Sequence, residues 1–131
     1  MKTYRATSKT ENTYETINHV RDFSVVMDNA PENGGQDLGA TPKEHLCMAL
    51  GSCTTMTLKM YLNRKEWVHE HIFVETKLKT EGKESVFMMR VEVKGAFDDK
   101  QKKRLTQIAK LCPIHKLLAS GNEIQMDFIF D

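Results

Sequence analysis

Thr41-Pro42-Lys43-Glu44 is the strongest helix start in the chain. Thr41 suits the N-cap. Pro42 suits the first helical position, where its missing N–H would be unpaired in any case. Glu44, three residues after the cap, can reach back to a free backbone donor. From there Leu46, Ala49, Leu50, Cys53, Met56, Thr57 and Met60 recur at steps of three and four, which predicts a helix to about Asn63. Leu58 and Leu62 widen its apolar surface, so the helix is expected to be central and buried on most sides. Gly51 and Ser52 are small enough to let another backbone approach just before Cys53.

The remainder is shorter elements on either side of this helix. Residues 2–27 read as short strands, with strand character at Tyr4, Tyr14, Thr16 and Ile17 and the clearest run over 22–27. Residues 28–40 concentrate Pro, Gly, Asn and Asp and read as a long surface loop, a kind of segment that often carries function. Beyond the helix, residues 71–79 and 85–94 read as two strands, the second alternating Met89, Val91 and Val93 with Arg90, Glu92 and Lys94. Asp98 or Asp99 opens a helix with Leu105, Ile108, Ala109 and Cys112 on one stripe. Pro113 breaks it and starts a short second one that Gly121 ends. Ile124, Met126, Phe128 and Phe130 alternate, which predicts a final strand over 123–130. The class is α+β, and at 131 residues the whole chain, 1–131, is expected to be a single domain.

Charge excludes several functions. Nineteen Lys and Arg against eighteen Asp and Glu leave a net charge of +1, whereas binding to nucleic acid through bulk charge needs clustered cations. Residues Lys100 to Arg104 read as the wet face of a helix, with no interleaved aromatics to stack bases. The polar N-terminus has no apolar signal-peptide core, and no run reaches the ~18 apolar residues of a membrane span. A cytoplasmic protein with neither a nucleic-acid nor a membrane partner is expected. His69 and His71 alternate, and His115 follows Cys112 by three, but no paired cysteine or carboxylate cluster accompanies them, so no metal and no cofactor are implied. His19 and His45 read as solvated or hydrogen-bonded.

Cys47, Cys53 and Cys112 are too few for a secreted disulfide scaffold, and their spacing matches no common zinc signature. Cys53 lies in the middle of the long helix. Cys112 lies where one helix ends and a Pro-started helix begins, and a sulfur at a helix N-terminus feels free N–H groups that favour thiolate. A reversible disulfide needs their Cα atoms within about 7 Å. Inert packing is the competing explanation, because a free cysteine behaves as a small hydrophobe. Cys47, about 240° around the helix from Cys53, cannot share that face.

Residues 34–42 (GGQDLGATP), Glu44, the run Ala49 to Thr57 (ALGSCTTMT) and Cys112-Pro113-Ile114-His115 resemble the OsmC/Ohr family of hydroperoxide-resistance proteins, over essentially the whole chain. The resemblance implies an intertwined α+β homodimer, with two long central helices packed between antiparallel sheets and active sites at the subunit interface. It implies Cys53 as the peroxidatic nucleophile and Cys112 as the resolving cysteine. An organic hydroperoxide would be reduced to an alcohol, and an external dithiol would reduce the resulting disulfide. Met56, Met60 and aromatic residues would supply an apolar wall that prefers alkyl hydroperoxides.

The match departs where the family tunes its first cysteine. The family places a Glu directly after the Pro of an Asn-Pro-Glu motif. Here Lys43 follows Pro42 and Glu44 comes one residue later, about 100° around the helix. The loop 28–40 has no arginine, and Arg21 is the nearest upstream candidate for the supporting cation, with Lys43 as a substitute. The resulting site is Cys53, Cys112, Glu44 and Arg21 in a thiol-dependent peroxidase. The alternatives are a non-peroxidatic OsmC-like protein that binds a small apolar or thiol-reactive ligand at the dimer interface, and an interaction module whose cysteines are packing.

Overall fold

The computed structural model describes residues 1–130 and is α+β, with three α-helices and two antiparallel sheets. The chain packs as two compact units that divide at Cys47–Met48. The first holds a three-stranded sheet in the order β1 (Thr7–Thr10), β2 (Thr16–Val20) and β3 (Phe23–Met27). Tyr4 and Tyr14 lie outside these strands. β2 and β3 pair from Thr16↔Met27 to Val20↔Phe23, which leaves Arg21 and Asp22 at the hairpin tip. Arg21 takes φ 54°, a left-handed conformation that glycine or asparagine adopts far more readily.

The loop after β3 is as irregular as its composition predicts, apart from one 3-10 turn at Pro31–Asn33. It is folded tightly. Asp28, only 2% exposed, accepts hydrogen bonds from the backbone N–H groups of Asn29 (2.8 Å), Gln36 (3.1 Å) and Leu38 (3.2 Å). Burial alone would raise this carboxyl, but the three donors outweigh it and hold it below its usual range. Gly39 runs so close to β3 that a Cβ there would lie 2.3 Å from the Val26 carbonyl oxygen.

Helix α1 (Pro42–Lys65) begins at the expected cap. The Thr41 N–H donates to Glu44 Oε1 at 2.8 Å, and the Glu44 N–H donates to Thr41 Oγ1 at 3.2 Å. It ends on Glu66, at φ 56°, where the Glu66 N–H donates to the Asn63 carbonyl and the Trp67 N–H to the Leu62 carbonyl. That doubly bonded C-terminal turn places Trp67 against the core. The buried face of α1 differs from the expected stripe. Leu50, Gly51, Thr54, Leu58, Tyr61 and Leu62 are buried, while Met56 and Met60 are 63% and 72% exposed. Apolar side chains surround this helix, so periodicity alone did not select a face. Packing inside the unit takes the 50/54/58/62 side and leaves the 56/60 side open.

In the second unit β4 (His71–Glu81) and β5 (Glu84–Lys94) form a hairpin closed by Gly82 at φ 59° and Lys83. Ile72↔Val93, Val74↔Val91, Thr76↔Met89 and Leu78↔Phe87 share its inner face. Helix α2 (Asp99–Ala109) is capped by Asp98, whose side chain accepts from Gln101 N–H while the Gln101 side chain accepts from Asp98 N–H. The core joins Leu58, Tyr61 and Leu62 of α1 to Leu105 and Ile108 of α2. Helix α3 (Pro113–Ser120) follows, with Gly121 after its last residue. The strand expected over 123–130 is not formed. The alternation is present, but a strand needs a neighbour to complete its ladder. Ile124, Met126, Phe128 and Phe130 remain 67–88% exposed. No helix among the described residues is long and apolar enough to cross a membrane.

Asp28→Asn keeps the shape and removes the charge. Amide hydrogen exchange at Gln36 and Leu38 is expected to accelerate while the β2 amides keep their protection. Because the folded-state carboxyl titrates below its unfolded value of ~4, its contribution is complete above that value and is lost as the pH falls through the lower folded one. Wild type and variant are therefore expected to converge in acid.

Candidate functional site

Cys53 and Cys112 both belong to the second unit. Cys53 is partly exposed in the middle of α1, and Cys112 is fully buried at the entry to α3. Both are free thiols, and each acts on the other's ionisation. The fold thus joins two sulfurs separated by 58 intervening residues in sequence.

Three local features build this contact. Gly51 lets the hairpin approach α1 closely, since a Cβ there would lie 3.0 Å from Thr76 Oγ1. The α1–α2 core fixes the end of α2, one short turn before Cys112. Cys112 then serves as the N-cap of α3. Its Sγ accepts the His115 N–H at 3.5 Å, as a serine or aspartate oxygen would. Pro113 at the first helical position has no N–H, so the free donors of this turn are Ile114 and His115.

The two sulfurs are driven in opposite directions. Burial raises the Cys53 thiol above its usual value, and its bond to Cys112 adds to that. The Ile114 N–H and the Thr57 hydroxyl offset this only in part. Burial also acts to raise Cys112. There it is outweighed by the Cys53 S–H, the His115 N–H, the Thr54 hydroxyl and the Ile114 N–H, and Cys112 is lowered. Thr54 is buried and its one hydroxyl proton also reaches the Leu50 carbonyl at 3.1 Å, so Cys112 competes with the helix backbone for it.

A cavity of about 540 Å³ opens beside this site, with Leu58, Val91, Val93 and Phe97 on its walls together with Thr54 and His115. Lys102 and Lys110 also line it. The sequence marks this space only by the apolar face of β5, which reads equally well as core.

The other candidates have local partners. Glu44 is engaged in the α1 cap. The Thr41 N–H and then the Thr41 hydroxyl hold its carboxyl below the usual range, with a further contribution from His45. The Arg21 guanidinium lies 5.1 Å from the centre of the Phe23 ring. His69 Nδ1 donates to the Trp67 carbonyl at 2.9 Å and its Nε2 accepts from Lys59 Nζ at 2.8 Å, while His71 faces Glu92 at 3.9 Å. Neither ring nitrogen of His69 is free for a metal. Among the described residues no group of three His, Cys, Asp or Glu converges as a metal site.

The family model for OsmC-like proteins matches residues 34–127, which include both cysteines. The chain belongs to the OsmC-like family. Solved structures agree on the fold. A Psychrobacter arcticus protein described as osmotic stress induced and of the detoxification response superposes with a TM-score of 0.76 at 16% identity, covering 88% of each chain. An OsmC-like protein of Mycoplasma pneumoniae gives 0.68 at 19% identity, over 90% of this chain and 88% of its own. The organic hydroperoxide resistance protein OsmC of Legionella pneumophila gives 0.61 at 14%, over 88% of each. No curated protein matches the sequence.

Proposed function

We propose that this OsmC-like protein is a thiol-dependent peroxidase that reduces organic hydroperoxides. The observation that carries this reading is that Cys53, partly exposed, and Cys112, buried, each act on the other's ionisation. A lone oxidised cysteine would proceed up the oxidation ladder, whereas one with a second thiol in contact closes to a reducible disulfide. Cys53 attacks the outer oxygen of the hydroperoxide, the O–O bond breaks and an alcohol leaves. Cys112 then displaces oxygen from the Cys53 sulfenic acid, and an external dithiol restores both thiols. The apolar walls of the adjacent cavity suit an alkyl or aryl peroxide better than hydrogen peroxide. Other OsmC-like structures, from Legionella pneumophila and Elizabethkingia anophelis, carry the name organic hydroperoxide resistance protein.

Arg21 is the proposed supporting cation, with Glu44 orienting it. The left-handed backbone of Arg21 supports a role for its side chain, because a hairpin tip selected for stability alone would carry Gly, Asn or Asp there. The active form is a homodimer. Met56 and Met60 on the open side of α1, and the alternating apolar residues of 123–130, are surfaces that a second copy would cover.

Cumene hydroperoxide is expected to be consumed in the presence of a dithiol. Without one, the protein loses two mass units in a Cys53–Cys112 crosslink that leaves Cys47 free. Cys53→Ser should abolish turnover, and rapid turnover by that variant would end the peroxidase reading. Arg21→Asn is expected to preserve or raise the melting temperature, since Asn tolerates φ near +55°, while lowering kcat/KM by tenfold or more. Unchanged kinetics would remove Arg21 from the site. Light scattering is expected to report a dimer, and Met60→Glu to shift it toward monomer.

A further inference from the structure

When the O–O bond of a hydroperoxide breaks, the departing fragment is an alkoxide, a strong base that leaves far more readily if it is given a proton as it goes. One histidine is placed to give it. Of the five in the chain, four have their rings engaged. His19 Nδ1 pairs with Ser24 Oγ at 3.0 Å, His45 Nδ1 with the Thr41 carbonyl at 3.0 Å, His69 with Trp67 and Lys59, and His71 with Glu92. The fifth, His115, is tied through its backbone N–H to Cys112 Sγ. Its half-buried side chain has no hydrogen bond or ion pair among the described residues. It lines the 540 Å³ cavity and a second of about 180 Å³ against Leu50, Phe87 and Leu118, with Met89 common to both. His115 is the third residue of α3, and helical side chains lean toward the N-terminus of their helix, here toward the Cys112 cap. The adjacent Ile114 N–H acts on Cys53, so both sulfurs meet this turn. The other polar groups of the larger cavity are committed or distant. The Thr54 hydroxyl reaches the Leu50 carbonyl, and the Thr106 hydroxyl donates to the Lys102 carbonyl at 3.0 Å. The charged groups on the wall are Lys102 of α2 and Lys110 at its end, both exposed. His115 alone is anchored at a sulfur.

We infer that the His115 imidazole is the general acid of the site, giving its proton to the alkoxide that leaves the hydroperoxide. The inference rests on the peroxidase reading. Cys53 attacks as the thiolate, the competent form of a cysteine nucleophile. Its Sγ bonds to the outer oxygen of ROOH, the O–O bond breaks, and the electron pair of that bond goes to the inner oxygen, which takes the proton from the imidazolium. Thiolate, imidazolium and ROOH thus give a sulfenic acid, neutral imidazole and ROH. The same ring then serves the second step as a base. As Cys112 Sγ attacks Cys53 Sγ, the imidazole takes the Cys112 proton, the S–S bond forms, the S–O bond breaks and hydroxide leaves. The imidazolium is restored. In sum one thiolate, one thiol and ROOH give a disulfide, ROH and OH⁻. Histidine suits both steps because its ring gains and loses a proton near neutral pH.

The leaving group separates this role from a structural one. tert-Butyl hydroperoxide releases a strongly basic alkoxide, whereas peroxybenzoic acid releases a weakly basic carboxylate that needs no proton. The full-length protein is mixed with either peroxide in the absence of dithiol, quenched with an alkylating agent, and the loss of reduced Cys53 is followed by mass spectrometry. His115→Gln is expected to slow oxidation by the alkyl hydroperoxide by about a hundredfold, within the range of general acid–base catalysis, and oxidation by the peroxy acid by a small factor only. The readout is the ratio of the two rates on one preparation, so a partly unfolded sample does not alter it, and His115→Asn should show the same ratio. Lys110→Met should change both rates by equal factors. Equal losses with both peroxides in His115→Gln, or a selective loss in Lys110→Met instead, overturn the inference and leave the peroxidase reading standing. If the alkyl hydroperoxide leaves Cys53 of the wild type reduced, the peroxidase reading fails and the inference falls with it.

Discussion

The contact between Cys53 and Cys112 is the constraint on which the site depends, and it is assembled by backbone rather than by charged side chains. Cys53 is fixed by the middle of a 24-residue helix, and Cys112 by the first turn of an eight-residue one. Neither helix positions a sulfur pair alone. The α1–α2 core, with Leu58 and Leu62 packed against Leu105 and Ile108, sets where α2 ends and hence where the next turn begins. Pro113 then matters twice. It stops α2 from continuing, and it leaves the Ile114 and His115 N–H groups as the nearest unpaired donors to the sulfur before it.

Local chemistry was readable from the sequence. The Thr41/Glu44 cap, the strand pair around Gly82, a start of α2 at Asp98 or Asp99 and the Pro113–Gly121 bounds of α3 all follow from residues within a few positions of one another. The burial of α1 was not readable, because its apolar residues occupy every side. Periodicity could not separate Met56 and Met60, which are open, from Leu58 and Leu62, which are enclosed. Residues 123–130 show the same limit from the other direction. Their alternation is strand-like, but a strand is a relation between two segments, and this one has no neighbour in the described chain.

The site divides in the same way. The two cysteines were identified through the family resemblance and their positions at a mid-helix and a helix start. The sequence does show why Glu44 is ambiguous. A carboxylate three residues after a threonine cap has a structural partner available, and here it takes that partner. The cavity beside the thiols was invisible, since its wall residues differ from core residues only in what fails to fill the space between them.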